Sequence, residues 1–386
     1  MDASNKKTPH SAAKAVNSKR VARAQGLWPR ASCNLLFAIV LTAGCTEALE
    51  SQRAIARRGA ASTSARSERG PQIIRLERGS SSAVERPQLL ARLPWGSGRS
   101  SLGRRLEASQ PGPMSLAATS TGELLVLDQV NRRVVRLDHE GRWLGSIAIT
   151  SEASEDLVAV GAALFVLVYE RLPSPGYRLE RYRLPLGSQR SSSSAAEARP
   201  TMSLGLSRRI QLATGLFASG RTATPEIWVE SRHERCVRVV REGKPAKRLQ
   251  QRLGRPPRVG STVTEHLAAV RLGAAEVRVL TVGRDARSRL RVRSARPLHS
   301  LNALQRDSDG RLYLGLTLAG DELREVLVVV DAAAPKPRWL ALPSRRTDAF
   351  RPLTVAANGA VYALGSDDRG VTLWRWSALA ATGGAR

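Results

Sequence analysis

Cysteine, aromatic residues and long apolar runs are all scarce in this 386-residue sequence. The three cysteines, Cys33, Cys45 and Cys236, are too few to provide a disulfide framework that could hold the fold together. Aromatic residues make up 4% of the chain, so a core must be built from valine, leucine, isoleucine and alanine. The N-terminal apolar run Leu35–Leu41 is too short to span a bilayer.

The short motifs of several enzyme classes are also missing. The sequence has no GxSxG, P-loop, HExxH or Cys-x-x-Cys motif, and no dinucleotide-binding glycine fingerprint after a predicted strand. The net charge is +28, yet the arginines are spread along the chain as expected for a GC-rich coding sequence. No helix-turn-helix, zinc-finger or RNA-binding signature accompanies this charge, so a nucleic acid is not the expected partner.

The N-terminal segment has the parts of an export signal. A basic leader precedes the apolar run, and the small residues of Thr42-Ala43-Gly44-Cys45 follow it. This ending resembles a bacterial lipobox, although the lipobox prefers leucine where Thr42 stands. Residues 1–44 are therefore predicted to be a signal peptide, and the resemblance implies that Cys45 is lipidated. The alternatives are ordinary cleavage nearby or an uncleaved anchor. Removal of residues 1–44 lowers the net charge to about +22.

The next segment, residues 45–85, is rich in serine, alanine, arginine and glycine. It lacks sustained periodicity apart from Ile73-Ile74, and such a composition buries too little apolar surface to offset the entropy of ordering. We expect a flexible tether here, and a disordered tail over residues 381–386.

A four-strand pattern lies between Gly112 and Ile147. Its strand-like runs cover residues 115–119, 123–127, 133–138 and 142–147, and turn signals such as Thr121-Gly122 separate them. Alternating apolar and polar residues between such turns predict an antiparallel meander. One four-stranded sheet cannot bury both of its faces, so a recurring pattern predicts a ring of packed blades.

This stretch resembles an NHL repeat in residues that match the repeat pattern in order. The matches are Pro113, Gly122, Val126, Asp128, Asn131-Arg132-Arg133-Val134 and Asp138-His139-Glu140-Gly141. The resemblance implies a β-propeller. NHL-like enzymes include zinc-dependent lyases and calcium-dependent lactonases, but no motif here allows their ligands to be carried over.

Six repeats can be aligned on the first leucine of each inner strand. These leucines are Leu116, Leu157, Leu216, Leu267, Leu301 and Leu353. The last repeat has only three strands of its own, ending at Val371–Trp376, and the run Pro87–Trp95 can supply its outer strand. The predicted fold is therefore an all-β, six-bladed propeller of four-stranded antiparallel blades over residues 86–380, closed by this N-terminal strand.

Titratable residues precede several inner strands, where a propeller places them around the mouth of its central channel. The candidate ligand-binding residues are Glu155, Asp156, Glu265, His266, His299, Arg351 and Arg132. Imidazole and carboxylate groups can bind a divalent metal or transfer protons, and Glu265, His266 and His299 are the metal candidates. The alternative is that these residues are solvated loop ends that neutralise nearby arginines.

These patterns favour an exported, lipid-anchored protein of the outer membrane or cell surface, with its propeller in the periplasm or outside. The expected function is that of a monomeric, non-catalytic binding or scaffold module without a cofactor, and the expected partner is a protein, peptide or glycan of the cell envelope. The alternative is a lyase or lactone hydrolase that uses one divalent metal ion at the channel mouth.

Overall fold

All the regular structure of the described residues is β-strand. The structure, a computed structural model, describes residues 72–76, 87–106, 110–170, 175–185, 199–206, 210, 212–231, 235–259, 261, 264–283, 286–320, 323–331 and 337–377. The predicted signal peptide, Cys45 and the C-terminal tail lie outside these residues. Within them, no helix is long and apolar enough to cross a membrane.

The described strands form six four-stranded sheets, which confirms the six-bladed β-propeller. Blade 1 contains β3 (Ser115–Ala118), β4 (Leu124–Asp128), β5 (Arg133–Leu137) and β6 (Trp143–Ala148). Blade 2 contains β7 (Ser154–Val160), β8 (Ala163–Glu170), β9 (Gly176–Arg183) and β10 (Met202–Gly205). Blade 3 contains β11 (Ala213–Arg221), β12 (Thr224–Ser231), β13 (Arg235–Arg241) and β14 (Lys244–Leu253).

The second half of the ring includes two strands from the N-terminal part of the chain. Blade 4 contains β15 (His266–Gly273), β16 (Glu276–Val282), β17 (Ala286–Ser294) and β1 (Gln72–Leu76). Blade 5 contains β18 (Leu298–Arg306), β19 (Leu312–Leu318), β20 (Arg324–Val330) and β21 (Arg338–Ala341). Blade 6 contains β22 (Leu353–Val355), β23 (Val361–Asp367), β24 (Gly370–Trp376) and β2 (Gln88–Pro94).

The predicted closure of the ring is confirmed. Strand β2 pairs antiparallel with β24, with Leu93 opposite Val371 and Pro94 opposite Gly370. Gly370 has a φ of +153°, and a Cβ there would lie 2.3 Å from the Leu93 carbonyl oxygen. Only glycine therefore allows the two backbones to approach this closely. The N-terminal strand completes the last blade and removes an open sheet edge.

The prediction of a tether up to residue 85 is wrong for the segment Gln72–Leu76. This segment is strand β1, which pairs in parallel with β17 and forms the outer strand of blade 4. Ile74 is 3% exposed and packs into the core cluster shared with blade 5, whereas Ile73 is 49% exposed. Burial of one isoleucine and the bonds to an open sheet edge order a segment whose local composition predicts no strand.

The hydrophobic core lies between neighbouring blades. Between blades 6 and 1, for example, Leu93 and Tyr362 pack with Leu116 and Val126, and all four are at most 5% exposed. Leucine, valine and alanine dominate this and the other clusters, as the low aromatic content requires. Each fully buried leucine or valine stabilises the fold by about 1.5–3 kcal/mol, so the blades depend on one another for stability.

The polar corner of blade 1 explains the repeat-like residues Asp128, Asn131 and Arg133. The buried Asp128 carboxylate accepts hydrogen bonds from the Asn131 side-chain amide at 2.8 Å and from Arg133 Nε at 2.9 Å. It also accepts the backbone N–H of Gly103 at 2.9 Å. Arg132 between them has a φ of +49° and an exposed side chain, so the corner turns through Arg132 while its neighbours hold the carboxylate.

Candidate functional site

A buried carboxylate and a guanidinium meet at the axis of the ring. Asp156, near the start of β7, is fully buried and accepts hydrogen bonds from Ser115 Oγ at 2.5 Å and from the Leu216 N–H at 2.7 Å. Its Oδ1 lies 2.8 Å from Arg351 Nη2. Burial raises the pKa of Asp156, and the charge of Arg351 and the donated hydrogen bonds oppose that shift.

Arg351 links blades that lie apart in the ring. It precedes β22 in blade 6, and its guanidinium donates to the Leu157 carbonyl of blade 2 and, at 2.9 Å, to the Leu216 carbonyl of blade 3. Its own carbonyl accepts the Leu116 N–H of blade 1 at 2.9 Å. The side chain therefore crosses the channel and joins blade 6 to blades 2 and 3, and the Arg351 backbone adds blade 1.

A second guanidinium, that of Arg255, lies buried in the same channel. It forms a two-point ion pair with Glu230, with Nε–Oε1 at 2.6 Å and Nη2–Oε2 at 3.0 Å. Its Nη1 donates to the Leu304 carbonyl of blade 5 at 3.0 Å. Two parallel bonds between guanidinium and carboxylate give a strong and directional contact. Arg255 thereby joins blade 3 to blade 5.

The segment that carries Arg255 is held close to β15. Arg255 and Leu267 exchange backbone hydrogen bonds of 2.6 and 2.9 Å. Gly254 has a φ of +77°, and a Cβ there would lie 2.5 Å from the Leu267 carbonyl oxygen. Farther along, Arg258 donates to the Val355 carbonyl at 2.5 Å. These contacts direct the chain between blades 3 and 4 into the channel.

We call Asp156, Arg351, Arg255 and Glu230 the axial network. Together with their partners Ser115, Leu267 and Leu304, these residues connect all six blades across the ring axis. Their charged groups contact one another and backbone carbonyls or N–H groups, and only Arg351 Nε is buried without a hydrogen-bond partner among the described residues of the network. The arrangement holds the inner strands together and narrows the channel.

The predicted metal candidates do not come together. His266 is 5% exposed, its Nδ1 lies 3.0 Å from the Gly254 carbonyl oxygen, and its ring packs edge-on against Trp228. Burial lowers the pKa of His266, so the neutral ring is favoured. Glu265 lines a cavity of about 200 Å³ along the axis, whereas the exposed His299 borders a separate groove.

No group of three or more histidine, cysteine, aspartate or glutamate side chains in the described part of the chain is placed to hold a metal ion. Sequence spacing put Glu265, His266 and His299 near one channel mouth. The His266 side chain instead lies in the contact between blades 3 and 4, where its imidazole packs on Trp228. The cluster expected from the sequence therefore does not form.

Glu155 is the remaining carboxylate of the predicted set. Burial and the charge of the neighbouring Asp156 raise the pKa of Glu155 to about 7, and a hydrogen bond with Tyr177 acts in the opposite direction. Its buried Oε2 has no hydrogen-bond partner among the described residues. Glu155 therefore changes charge near neutral pH.

The site also has a groove between blades 5 and 6, which is larger than the axial cavity. We call it the loop-face groove, because it lies where the second and third strands of blade 5 and the two blades themselves are connected. Its volume is about 670 Å³. Its lining residues include His299, Asn302, Thr317, Leu323, Arg324, Glu325, Arg345, Asp348 and Phe350.

The floor and wall of the loop-face groove are preorganised. Ser300 Oγ donates to Asn302 Oδ1 at 2.6 Å, and Asn302 Nδ2 donates to Thr317 Oγ1 at 2.7 Å. Arg345 and Glu325 form an ion pair of 2.5 Å on one side. Hydroxyl, amide and charged groups thus stand beside apolar ones, as in concave sites where a few polar groups fix the orientation of a ligand.

Sequence reasoning missed the residues that close the channel, Arg255 and Glu230. The segment Gly254-Arg255-Pro256-Pro257 follows a strand directly, and its glycine and prolines signal a sharp change of direction. That signal predicts a turn, but it does not predict that the segment after the turn enters the channel. Cys236 is a free, fully buried thiol, and burial raises its pKa.

No protein-family model matches this sequence, and no curated protein sequence matches it. Several solved structures are similar in fold. A protein of Bacteroides fragilis NCTC 9343 assigned as exported is 9% identical with a TM-score of 0.46, covering 79% of this chain and 99% of that one. A Thermus thermophilus protein assigned as an oxidoreductase (glucose dehydrogenase) is 14% identical with a TM-score of 0.43, covering 75% and 99%.

The calcium-binding protein regucalcin of Agrobacterium tumefaciens is 10% identical with a TM-score of 0.33, covering 78% of this chain and 94% of that one. Identities and scores this low carry no inference about ligand or reaction. The assignment of the fold rests on the six sheets themselves.

Proposed function

We propose that this protein is an exported, lipid-anchored binding module of the NHL-like type, which holds a protein, peptide or glycan segment in its loop-face groove without catalysing a reaction. One observation carries the proposal. The four charged side chains of the axial network are engaged in two buried ion pairs, Arg255 with Glu230 and Arg351 with Asp156, and also bond to other blades. The larger opening is a groove whose hydrogen-bonding groups are already in place.

The chemistry of the groove supports an extended partner. Leu323 is 62% exposed at its border, and Phe350 lies among its lining residues. The amide of Asn302 and the hydroxyl of Thr317 provide the polar contacts that a peptide backbone or a sugar needs. The pair of Arg345 and Glu325 provides fixed charges of both signs. Such a mixed lining favours recognition by shape and hydrogen bonds.

The N-terminal sequence supports the location. The basic leader, the run Leu35–Leu41 and the small residues before Cys45 match a lipoprotein signal. Mass spectrometry of the mature N-terminus tests this part of the proposal. We expect a lipidated Cys45, and an unmodified N-terminus elsewhere would reject the anchor. The groove is tested by a separate measurement.

Binding at the groove is tested by site-specific photo-crosslinking in cells. A photoreactive residue at Leu323 should give one discrete adduct, and Asn302→Ala together with Phe350→Ala should reduce its yield at least tenfold, since these residues line the groove. The matched control is a photoreactive residue at Leu89, which is 45% exposed on the outer strand of blade 6. Equal adducts at both positions, or none at Leu323, would reject the groove as the binding site.

A further inference from the structure

The outer strand of blade 3 differs in charge from the outer strands of the other blades. Strands β6 and β10 contain no charged residue, and β1, β2 and β21 contain one arginine each. Strand β14 carries four basic residues and no acid: Lys244, Lys247, Arg248 and Arg252. An even spread of arginine along the chain does not account for this concentration.

Within the described part of the chain, these four side chains also lack the ion pairs that neutralise their neighbours. On β13, Arg238 pairs with Glu226 at 2.6 Å and Arg241 pairs with Glu242 at 3.3 Å. The four basic residues of β14 form no ion pair with a described residue, and all four are exposed. Among the described residues, blade 3 therefore presents a concentrated positive charge at its rim that no ion pair neutralises.

The middle of β14 departs from the regular register of the sheet. Arg238 lies opposite Gln250 and Val240 lies opposite Pro245, so the residues Ala246–Leu249 have no regular partner on β13. This bulge carries Lys247 and Arg248 next to Leu249, which is 37% exposed. Cations beside an exposed leucine suit a surface with phosphate groups above an apolar layer.

The point where the chain enters the described fold lies next to blade 3. The chain enters the fold at Gln72, on the outer edge of blade 4, which follows blade 3 in the ring. Cys45 lies 27 positions before Gln72 in the sequence. A lipid on Cys45 would therefore attach the fold to the bilayer through the outer edge of blade 4, next to blade 3.

We infer that the blade 3 rim, defined as Lys244, Lys247, Arg248, Leu249 and Arg252, docks on anionic phospholipid headgroups. The inference rests on the export and the anchor proposed above. Each basic residue near an anionic leaflet strengthens binding about fivefold. The rim thereby orients the tethered propeller and leaves the loop-face groove open to its partner. Charges on an edge strand also prevent strand pairing between molecules, but that role needs neither a bulge nor its leucine.

The test uses the full-length chain with Cys45→Ser, so that no lipid contributes. Its binding is measured by co-sedimentation with vesicles of phosphatidylcholine alone or with about one third phosphatidylglycerol, near physiological ionic strength. We expect binding only to the anionic vesicles. The variant K244Q/K247Q/R248Q/R252Q should bind at least tenfold more weakly, and Leu249→Ser should weaken binding severalfold.

The matched control removes the same charge from other exposed positions: R183Q/R199Q/R221Q/R369Q. Its binding should change less than threefold, because these residues lie outside the blade 3 rim. All variants contain residues 1–44, so any vesicle binding by that segment is common to them. The comparison therefore uses the differences in binding between variants. Circular dichroism checks the fold, and K247Q/R248Q within the bulge replaces the quadruple variant if that one does not fold.

Three results would overturn the inference. They are equal binding to both kinds of vesicle, equal loss of binding in the rim and control variants, and dimer formation by the rim variant with unchanged vesicle binding. Tighter binding to a single-stranded oligonucleotide than to anionic vesicles would also overturn it in favour of a nucleic-acid surface. Lipidation of Cys45 and crosslinking at Leu323 are separate measurements, so their failure is distinguishable from failure here.

Discussion

Replacement of Arg351 by methionine would remove the only guanidinium that contacts Asp156 among the described residues. Methionine keeps most of the apolar length of the side chain, so the variant isolates the charge and the donated hydrogen bonds. Asp156 would remain 0% exposed with its Ser115 and Leu216 donors. The Leu157 and Leu216 carbonyl oxygens would each lose a donor. The perturbation thus leaves a buried charge uncompensated.

The expected loss of stability is large for one substitution. Removal of one partner of a buried ion pair costs about 3–5 kcal/mol, since the other charge stays buried. The Arg351 side chain is only 16% exposed, so solvent screens little of this effect. A domain has about 5–15 kcal/mol of total stability, so Arg351→Met should remove a large part of it.

Urea unfolding followed by tryptophan fluorescence measures this loss. The double variant Arg351→Met/Asp156→Asn should recover about 1–3 kcal/mol relative to the single variant, because an amide removes the buried charge and can still accept the Leu216 N–H. The midpoint concentration of urea should follow the same order, with an unchanged slope against denaturant. Neither substitution removes a residue of the hydrophobic clusters between the blades, so both variants are expected to fold.

The pH dependence gives a second measurement. Without Arg351, the folded-state pKa of Asp156 rises further above its unfolded value, so the folded state retains a proton that the unfolded state releases. Stability then falls as pH rises through the interval between these two pKa values. The deficit of Arg351→Met should be largest at neutral pH and smaller in acid. A loss below about 1 kcal/mol at neutral pH, or no recovery in the double variant, would refute the reasoning.

Three further predictions concern single residues. Ile74→Ala should lower the free energy of unfolding by about 2–4 kcal/mol because Ile74 is buried in blade 4, whereas Ile73→Ala should cost under about 1 kcal/mol; equal losses in urea unfolding would mean that β1 does not pack as described. Gly254→Ala should cost clearly more than Gly243→Ala, since both have positive φ but only Gly254 faces a carbonyl at 2.5 Å; similar melting temperatures for the two variants would contradict this. Glu155→Gln should stabilise the protein by about 1–2 kcal/mol at pH above about 7, because the raised folded pKa of Glu155 means that ionisation opposes folding. This gain in stability should shrink as the pH falls toward the ordinary glutamate pKa. A gain that urea unfolding shows to be independent of pH would contradict the prediction.

The propeller was predictable because its signals are local and repeated. Turn residues such as Thr121-Gly122 and Asn358-Gly359 bound short alternating runs, and a four-stranded sheet with two apolar faces requires neighbours. Ring closure was predictable for a related reason. The last repeat lacks one strand, and the run Pro87–Trp95 has the pattern of the missing one. These features depend on the period of the apolar residues and on the number of strands in each repeat, and both can be read from the sequence.

The tertiary structure alone decided the role of the charged residues. Asp156 and Arg351 lie 195 residues apart, and nothing in their local sequence indicates that the guanidinium crosses the ring axis to a carboxylate. The same holds for β1, whose partner β17 lies more than 200 residues later. Position before an inner strand indicates nearness to the channel. The direction of a side chain, and whether its charge meets another charge, an aromatic ring or solvent, depends on contacts between blades that distant segments create.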